Sequence, residues 1–253
     1  MKKEGNIGIF DSGIGGITVL KEIVKIMPKE NYIYYSDSKN NPYGDKGQDE
    51  IKKICDNIVK KLIDKNCKVI VIACNTASAI AKDYLREKFK KVPIIAIEPA
   101  YKMVYDYSYN TTTLVMATKG TIESEKFKLL LTKYNNNKTY LLACMGLADL
   151  IEEGNKEKIN KYLNKNLDKY KNRVESVVLG CTHYPLIQEE IKNVLGDVNF
   201  FNGAPNLAKH LKDVLEEKEL INNGDGKIEF IDSKNSEKNK QRFFEILKNN
   251  YII

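Results

Sequence analysis

Short, almost entirely apolar runs alternate along this chain with segments of helical periodicity, and this alternation limits the fold more than any other feature. The run KVIVIAC at 68–74 is apolar after its first residue, and apolar residues recur at helical spacing through 49–65. Strands that are apolar on both faces are typical of parallel sheets that helices cover on both sides. The sequence therefore predicts an α/β fold.

The same two patterns predict the other elements. Strands are expected where short apolar runs occur, at 7–10, 32–37, 68–74, 93–98, 113–118, 138–144, 198–201 and 227–231. Helices are expected where apolar residues lie three or four positions apart, at 17–27, 49–65, 77–89, 122–134, 187–195, 206–217 and 237–248.

Two segments far apart in the chain share one arrangement of residues. VIVIACNTASA at 69–79 and SVVLGCTHYPL at 176–186 each have a β-branched run, a small residue, a cysteine and then polar residues. The repetition predicts two similar parallel-sheet halves with a ligand pocket between them, and 93–99 is the candidate boundary. The tail after Phe201 could complete either half.

The composition is that of an ordinary globular protein. Hydrophobic residues make up 42% and charged residues 30% of the 253 residues, so a sizeable core is available. No apolar run approaches the ~20 residues that a membrane-spanning helix needs, and the run after MKKEGN is too short for a signal peptide. A cytoplasmic location without membrane association is expected.

The net charge of +7 raises the question of nucleic-acid binding. Lysine supplies nearly all of the positive charge, and it is spread with asparagine and glutamate along segments such as 155–173. Arginine, whose planar fork suits phosphates and bases, occurs only as Arg86, Arg173 and Arg242. This pattern is typical of solvated helix faces, and no specific nucleic-acid partner is expected.

The cysteines argue against a disulfide framework and against a structural zinc site, because their number is odd and no C-x-x-C spacing occurs. They are Cys55, Cys67, Cys74, Cys144 and Cys181. Cys55 and Cys67 have no polar cluster beside them and are predicted to be core residues. A structural role is favoured for Cys144 as well.

The segment DSGIGG at 11–16 admits two interpretations. Its glycines could serve only a tight turn, or its amides could bind a small carboxylate or phosphate where the next helix begins. A dinucleotide fingerprint is excluded because Thr18 takes the place of the third glycine, and no Walker lysine motif is present. Asp11 would repel a phosphate at this site but could pair with an ammonium group.

Cys74 and Cys181 carry the main chemical hypothesis. Each follows a predicted strand at the start of a helix, where the helix N-terminus is expected to lower the thiol pKa below its free value of about 8.5. His183 lies two residues after Cys181, which would allow proton exchange between ring and thiol. Inversion of a stereocentre requires such an acid and base on opposite faces of one carbon.

Six motifs across most of residues 7–187 closely resemble, in order, the bacterial glutamate racemase family: IGIFDSGIGGITVL, NPYGDKG, VIACNTASA, IEPAYK, ATKGTIES and GCTHYPL. The resemblance implies two α/β domains, 1–97 plus 207–253 and 98–206, with the active site in the cleft between them. It implies interconversion of L- and D-glutamate without cofactor or metal, which supplies D-glutamate for peptidoglycan synthesis. Dimers are common in the family, so a homodimer is one assembly that it implies.

The resemblance also assigns roles to residues at matching positions. Cys181 would take the α-proton from L-glutamate and Cys74 from D-glutamate, with Asp11, Glu152 and His183 as supporting catalytic groups. The implied substrate-binding residues are Asp11, Ser12, Pro42, Tyr43, Gly44, Cys74, Asn75, Thr76, Thr118, Thr121, Cys181, Thr182 and His183.

Two segments depart from the family pattern. CMGLADLIEEG at 144–154 lacks the two usual prolines, and Glu152 is matched by its distance from Gly154. Gly47 stands where serine is usual, which predicts altered capping of the helix that follows.

Three alternative functions share parts of this pattern. An aspartate racemase would use the same paired thiols, and turnover on the two amino acids separates it, although GCTHYPL favours glutamate. A two-lobed amino-acid binding module would have inert cysteines, which ligand-sensitive alkylation would contradict. A zinc site could combine Cys74, Cys181 and His183, and metal analysis would test it.

Overall fold

The computed structural model describes residues 3–108, 110–134 and 137–248. Its strands within these residues are β1 Asn6–Asp11, β2 Tyr32–Ser36, β3 Cys67–Ile72, β4 Ile94–Ala96, β5 Thr113–Ala117, β6 Thr139–Ala143, β7 Ser176–Gly180, β8 Asn199–Phe201 and β9 Ile228–Asp232. Its α-helices are α1 Ile17–Ile26, α2 Gln48–Asp64, α3 Asn75–Lys88, α4 Tyr101–Tyr107, α5 Lys119–Glu123, α6 Glu125–Tyr134, α7 Leu147–Glu153, α8 Lys156–Leu167, α9 Gln188–Leu195, α10 Ala204–Glu217 and α11 Glu237–Lys248. Short 3-10 helices lie at Asp168–Tyr170 and Tyr184–Ile187.

The strands form two parallel sheets. The first sheet has the order β4-β3-β1-β2-β9 and the second the order β6-β5-β7-β8. This confirms the predicted α/β fold with two parallel-sheet halves. The two cysteine segments follow β3 and β7. β3 pairs with β1 and β7 pairs with β5, and β1 and β5 are the first strands of their sheets in chain order. The two segments therefore hold equivalent positions in the two halves.

Both faces of the first sheet are buried, which explains why β3 is apolar from Val69 onward. Val69 and Val71 pack in one cluster with residues of α1 and α10, whereas Ile70 and Ile72 pack in another with residues of α2 and α3. Because successive side chains of a strand point to opposite faces, this one run serves both layers. The second sheet is less completely covered, since its edge strand β6 carries exposed apolar side chains.

The C-terminal segment returns to the first sheet. β9 pairs in parallel with β2 over its whole length. Helix α10 packs on α1, and α11 lies against β9 and α1. The exact domain boundaries, 1–97 with 207–253 and 98–206, stay a prediction.

The single helix predicted at 122–134 is wrong, because this segment contains the end of α5 and the whole of α6. The Thr118 hydroxyl accepts the Thr121 amide at the start of α5, and the Ser124 hydroxyl accepts the Phe127 amide at the start of α6, each at 3.2 Å. Both hydroxyls act as N-caps, so the chain breaks at Ser124. The helices α4 and α7 have about two turns each, too few for the periodicity to predict them.

Helix α2 begins without a side-chain cap, which is the change that Gly47 predicts. Gly47 occupies the N-cap position with extended backbone and has no side chain to accept an amide. Among the residues described, no helix combines the length and the apolar character that crossing a bilayer requires.

Candidate active site

One narrow cavity is lined by the segments that follow β1, β2, β3, β5 and β7, and by α7. Its volume is about 30 Å³, which is room for one or two water molecules. Its lining residues are Ser12, Asn41, Pro42, Tyr43, Gly44, Cys74, Asn75, Thr76, Thr118, Ala148, Cys181, Thr182 and His183.

The structure brings together all of the implied substrate-binding residues except Asp11 and Thr121, which do not line the cavity. Asn41 and Ala148 line it without having been predicted. Asn41 directly precedes Pro42 in the NPYG motif, so its place in that motif was the signal that could have predicted it. Ala148 lies in α7, which has no periodic signal of its own.

Cys74 is held at the N-cap of α3. Its backbone is extended, and its Sγ accepts the Ala77 amide at 3.5 Å. The Ser12 hydroxyl oxygen lies 3.9 Å from the same sulfur. The strand-to-helix junction predicted at Cys74 is therefore present.

Burial decides the proton affinity of Cys74. The thiol is almost wholly buried, and burial raises its pKa well above the ordinary value. The negative charge of Asp11 raises the pKa further, whereas the amide of Ala77 lowers it by less. The pKa reduction expected at this helix N-terminus is therefore wrong for the closed cavity, in which Cys74 is a protonated thiol.

Cys181 has a different setting. The strand β7 leads through 181–183 into a 3-10 helix, so this cysteine does not begin an α-helix as the sequence predicted. Its Sγ instead lies 3.6 Å from Nδ1 of His183, and Nε2 of His183 lies 2.6 Å from Oε1 of Glu152. Thiol, ring and carboxylate form a continuous row of contacts.

The His183–Glu152 contact shifts both of its members toward their charged forms. Burial lowers the pKa of the His183 ring, but its hydrogen bonds with Cys181 and Glu152 raise the pKa by more. Burial raises the pKa of Glu152, but the hydrogen bond from His183 lowers it by more. The pair is therefore an imidazolium and a carboxylate.

Three amides of the DSGIGG turn donate to carboxylates of the protein itself. Oδ2 of Asp11 accepts the Gly16 amide at 3.0 Å and the Gly13 amide at 3.3 Å. Oε1 of Glu152 accepts the Ile14 amide at 2.7 Å. These bonds favour the interpretation of this segment as a turn over that of an anion-binding loop.

The glycines of the turn allow side chains from the second half to approach its backbone. A Cβ on Gly13 would collide with Oε1 of Glu152, and one on Gly15 would lie 2.5 Å from Nδ1 of His183. Atoms at such distances repel strongly, so the turn and the Glu152–His183 pair fit together only because these positions lack side chains.

Threonine hydroxyls join the two halves around the cavity. Oγ1 of Thr76 lies 3.0 Å from Oγ1 of Thr118, which in turn lies 2.9 Å from Oγ1 of the buried Thr121. The Thr18 hydroxyl donates to the carbonyl of Thr182 at 3.1 Å. The Thr76–Thr118 and Thr18–Thr182 bonds connect segments that belong to different halves.

The cavity presents one cysteine sulfur from each half. The protonated thiol of Cys74 comes from the first half, and the sulfur of Cys181, beside the imidazolium–carboxylate pair, comes from the second. Within the described ranges, no group of three or more His, Cys, Asp and Glu side chains is arranged to hold a metal ion.

Proteins of known family resemble this chain over nearly its whole length. A glutamate racemase of Clostridium botulinum (strain Alaska E43 / Type E3) is 44% identical over 244 residues, which cover 94% of this chain and 95% of that protein. A glutamate racemase of Clostridium acetobutylicum is 44% identical over 242 residues, which cover 93% of this chain and 94% of that protein.

The fold of this chain is also similar to that of a solved structure. The crystal structure of glutamate racemase from Francisella tularensis subsp. tularensis SCHU S4 in complex with D-glutamate superimposes with a TM-score of 0.82 at 33% sequence identity, covering 98% of this chain and 95% of that one. The profile of the Asp/Glu/Hydantoin racemase family matches residues 7–211, which contain both cysteine segments. Sequence, fold and profile agree, and the chain belongs to the Asp/Glu/Hydantoin racemase family.

Proposed function

We propose that this protein interconverts L- and D-glutamate without a cofactor, and that the thiols of Cys74 and Cys181 are its acid and base. The observation that carries the proposal is the enclosure of both thiols in one cavity, each on a segment that follows a strand of a different sheet. Inversion by proton transfer needs one such group on each face of the carbon. Glutamate is favoured as the substrate because relatives that are 44% identical carry that name.

In the proposed mechanism, Cys181 starts as a thiolate, because its thiol proton has passed to Nδ1 of His183 and is one of the two ring protons of the imidazolium. The thiolate takes the α-proton of L-glutamate, and the electron pair of the broken C–H bond stays on the α-carbon. Cys74 then delivers its thiol proton to the opposite face, which forms D-glutamate and leaves Cys74 as a thiolate. In the reverse direction the two cysteines exchange roles.

The weak acidity of the α-proton sets the main energetic demand. A turnover of about 10 per second corresponds to a barrier of roughly 16 kcal/mol, and each unit of pKa mismatch costs about 1.36 kcal/mol. Because the α-carbon is a much weaker acid than a thiol, the cost of the pKa mismatch between them would exceed this barrier. The cavity must therefore stabilise the carbanion. The hydroxyls of Thr76, Thr118 and Thr182, which line the cavity, are the proposed sources of that stabilisation. The carboxylate of Asp11, which lies behind Thr182, would favour the charged ammonium of the substrate.

Substrate entry requires the two halves to separate. The cavity volume of about 30 Å³ is too small for glutamate, and the Thr76–Thr118 contact of 3.0 Å helps to hold the halves together. In the proposal, opening admits the amino acid and reclosure excludes water from the carbanion. Asn41 and Ala148, which line the cavity, would contact the bound substrate.

Proton NMR in D2O tests this function. The purified protein is incubated, with no cofactor added, with L-glutamate, D-glutamate, L-aspartate and D-aspartate in separate samples, and loss of the α-proton signal and optical rotation are followed. Exchange and inversion with both glutamate enantiomers are expected. Exchange of aspartate alone would change the substrate assignment and keep the two-thiol chemistry. Exchange of neither amino acid would favour the binding-module alternative.

We also propose that the D-glutamate supplies peptidoglycan synthesis in the cytoplasm, as the family resemblance implies. The five cysteines are free and buried, which suits a reducing compartment. A homodimeric assembly, the absence of a nucleic-acid partner and the domain division at 97/98 and 206/207 are proposed on the basis of the same resemblance and composition.

A further inference from the structure

The C-terminal helix α11 contributes a side chain to the end of helix α7 in the second half. The guanidinium of Arg242 donates to the carbonyl oxygens of Ile151 and Glu152. The last carbonyls of a helix have few partners within the helix, and here the Gly154 amide donates to those of Leu150 and Ile151. Arg242 adds a second donor to the Ile151 carbonyl and supplies one to the Glu152 carbonyl, so it caps the end of α7. Gly154, which ends α7 at φ 71°, gives the guanidinium room, because a Cβ there would stand 3.1 Å from Nη2.

Glu152 connects this cap to the cavity. Its Oε1 lies 2.6 Å from Nε2 of His183, and Nδ1 of His183 lies 3.6 Å from Sγ of Cys181. Arg242 therefore stands at the outer end of a row of contacts that finishes at the Cys181 thiol. The charged and titratable groups that interact electrostatically with Glu152 or Arg242 include His183, Asp11, Asp149, Tyr34 and Glu245.

We propose that Arg242 is a positioning residue for the reaction. By holding the last carbonyls of α7, it fixes the Glu152 carboxylate against His183 and thereby the ring against Cys181. This inference rests on the racemisation proposed above. Arginine suits the task because its planar fork binds two acceptors at once, which the single ammonium of lysine does less well. The residue lies beyond the segment 7–211 that the family profile matches.

Kinetics of Arg242→Ala and Arg242→Lys test the proposal. For Arg242→Ala, kcat with L-glutamate is expected to fall by roughly tenfold to a hundredfold, while KM changes by no more than about twofold. Arg242→Lys keeps the charge but not the planar fork, so its kcat should lie between those of the wild type and Arg242→Ala. Added guanidinium should restore part of the kcat of Arg242→Ala. Lys240→Ala, at an exposed position of the same helix, is the matched control and should behave as wild type.

Histidine NMR provides a readout that does not depend on turnover. The chain contains two histidines, His183 and His210, so their ring signals are readily separated, and His183→Gln assigns them. Arg242→Ala is expected to move the ring nitrogen signals of His183 and to leave those of His210 in place. If this variant fails to fold, Arg242→Lys is measured in the same way.

If Arg242→Ala has the kcat of the wild type, or if its His183 ring signals stay in place, the inference is overturned. If the wild-type protein does not racemise glutamate, the proposed function fails, and the ring signals still decide whether Arg242 positions His183.

Discussion

The two cavity thiols differ because of the residues beside them. Sγ of Cys74 lies 3.9 Å from the Ser12 hydroxyl oxygen and near the charge of Asp11, whereas Sγ of Cys181 lies 3.6 Å from a histidine ring. The Cys74 thiol is thus protonated, whereas the sulfur of Cys181 lies beside a positively charged imidazolium. Two-base inversion starting from L-glutamate needs this pairing of a proton donor with a proton acceptor.

Replacement Asp11→Asn is expected to lower the pKa of the Cys74 thiol. Burial raises that pKa most, and the Asp11 charge adds to it, so removal of the charge leaves less repulsion against the thiolate. At constant pH, alkylation of Cys74 by iodoacetamide should become several-fold faster. The pH midpoint of alkylation, followed by peptide mass spectrometry, measures the change.

The control for this charge removal is Asp197→Asn, because the Asp197 side chain is 100% exposed. An alkylation midpoint that stays the same or rises in Asp11→Asn would show that the Asp11 charge does not govern Cys74.

At the scale of elements, the turn between β1 and α1 is shaped to receive side chains of the second half. Gly15→Ala should reduce kcat/KM by about a hundredfold, because the added Cβ would lie 2.5 Å from Nδ1 of His183. Gly47→Ala is the matched control, because a Cβ added at that position would have no atom within 4 Å. Both substitutions reduce the conformational freedom of the unfolded chain to the same degree. Steady-state kinetics and thermal unfolding compare them, and equal activity in the two variants would contradict the account.

The elements differ in how far local sequence predicts them. Apolar repeats mark every strand of the first sheet and the long helices other than α8, because burial on known faces requires those repeats. Helix α8 lies in the lysine-rich segment that is interpreted only as a solvated face, and it is not among the predicted helices. Helix α7 has only about two turns, too few for a periodic pattern. The break at Ser124 depends on a single hydroxyl cap, which a search for periodicity does not detect.

The site shows the same limit for contacts between distant residues. The cysteine segments, together with the family resemblance, predict most of the residues that meet in the cavity, although not Asn41 and Ala148. The bond from Ile14 to Glu152 joins positions 138 residues apart, and no local pattern encodes it. The raised pKa of Cys74 has the same origin. Burial raises this pKa by more than the start of the helix lowers it, and burial depends on the complete tertiary structure.

At the scale of the whole molecule, Glu98 ties the two halves together between β4 and α4. Its Oε1 accepts Lys82 of α3 at 2.8 Å and Lys126 of α6 at 2.7 Å. Burial raises the pKa of the Glu98 carboxyl, but the hydrogen bonds from Lys126 and Lys82 lower it by more, to about 2.

This lowered pKa predicts how stability depends on pH. The ionised carboxylate of Glu98 stabilises the fold above its ordinary pKa of 4.5, and the contribution is lost as the pH falls toward 2. Because the side chain is 54% exposed, Glu98→Gln should lower the free energy of unfolding at neutral pH by about 1 kcal/mol or less. Urea unfolding of both proteins should show this difference shrinking in acid, and a difference that does not vary with pH would rule out the ion pairs as its source.

The most direct test of the account is α-proton exchange in D2O by Cys74→Ser and Cys181→Ser, each incubated with one glutamate enantiomer at a time. If the thiols act on opposite faces, neither variant inverts glutamate. Cys74→Ser then exchanges the α-proton of L-glutamate only, and Cys181→Ser that of D-glutamate only. Exchange of both enantiomers by either variant, or inversion at the wild-type rate, would contradict the assignment of one thiol to each face.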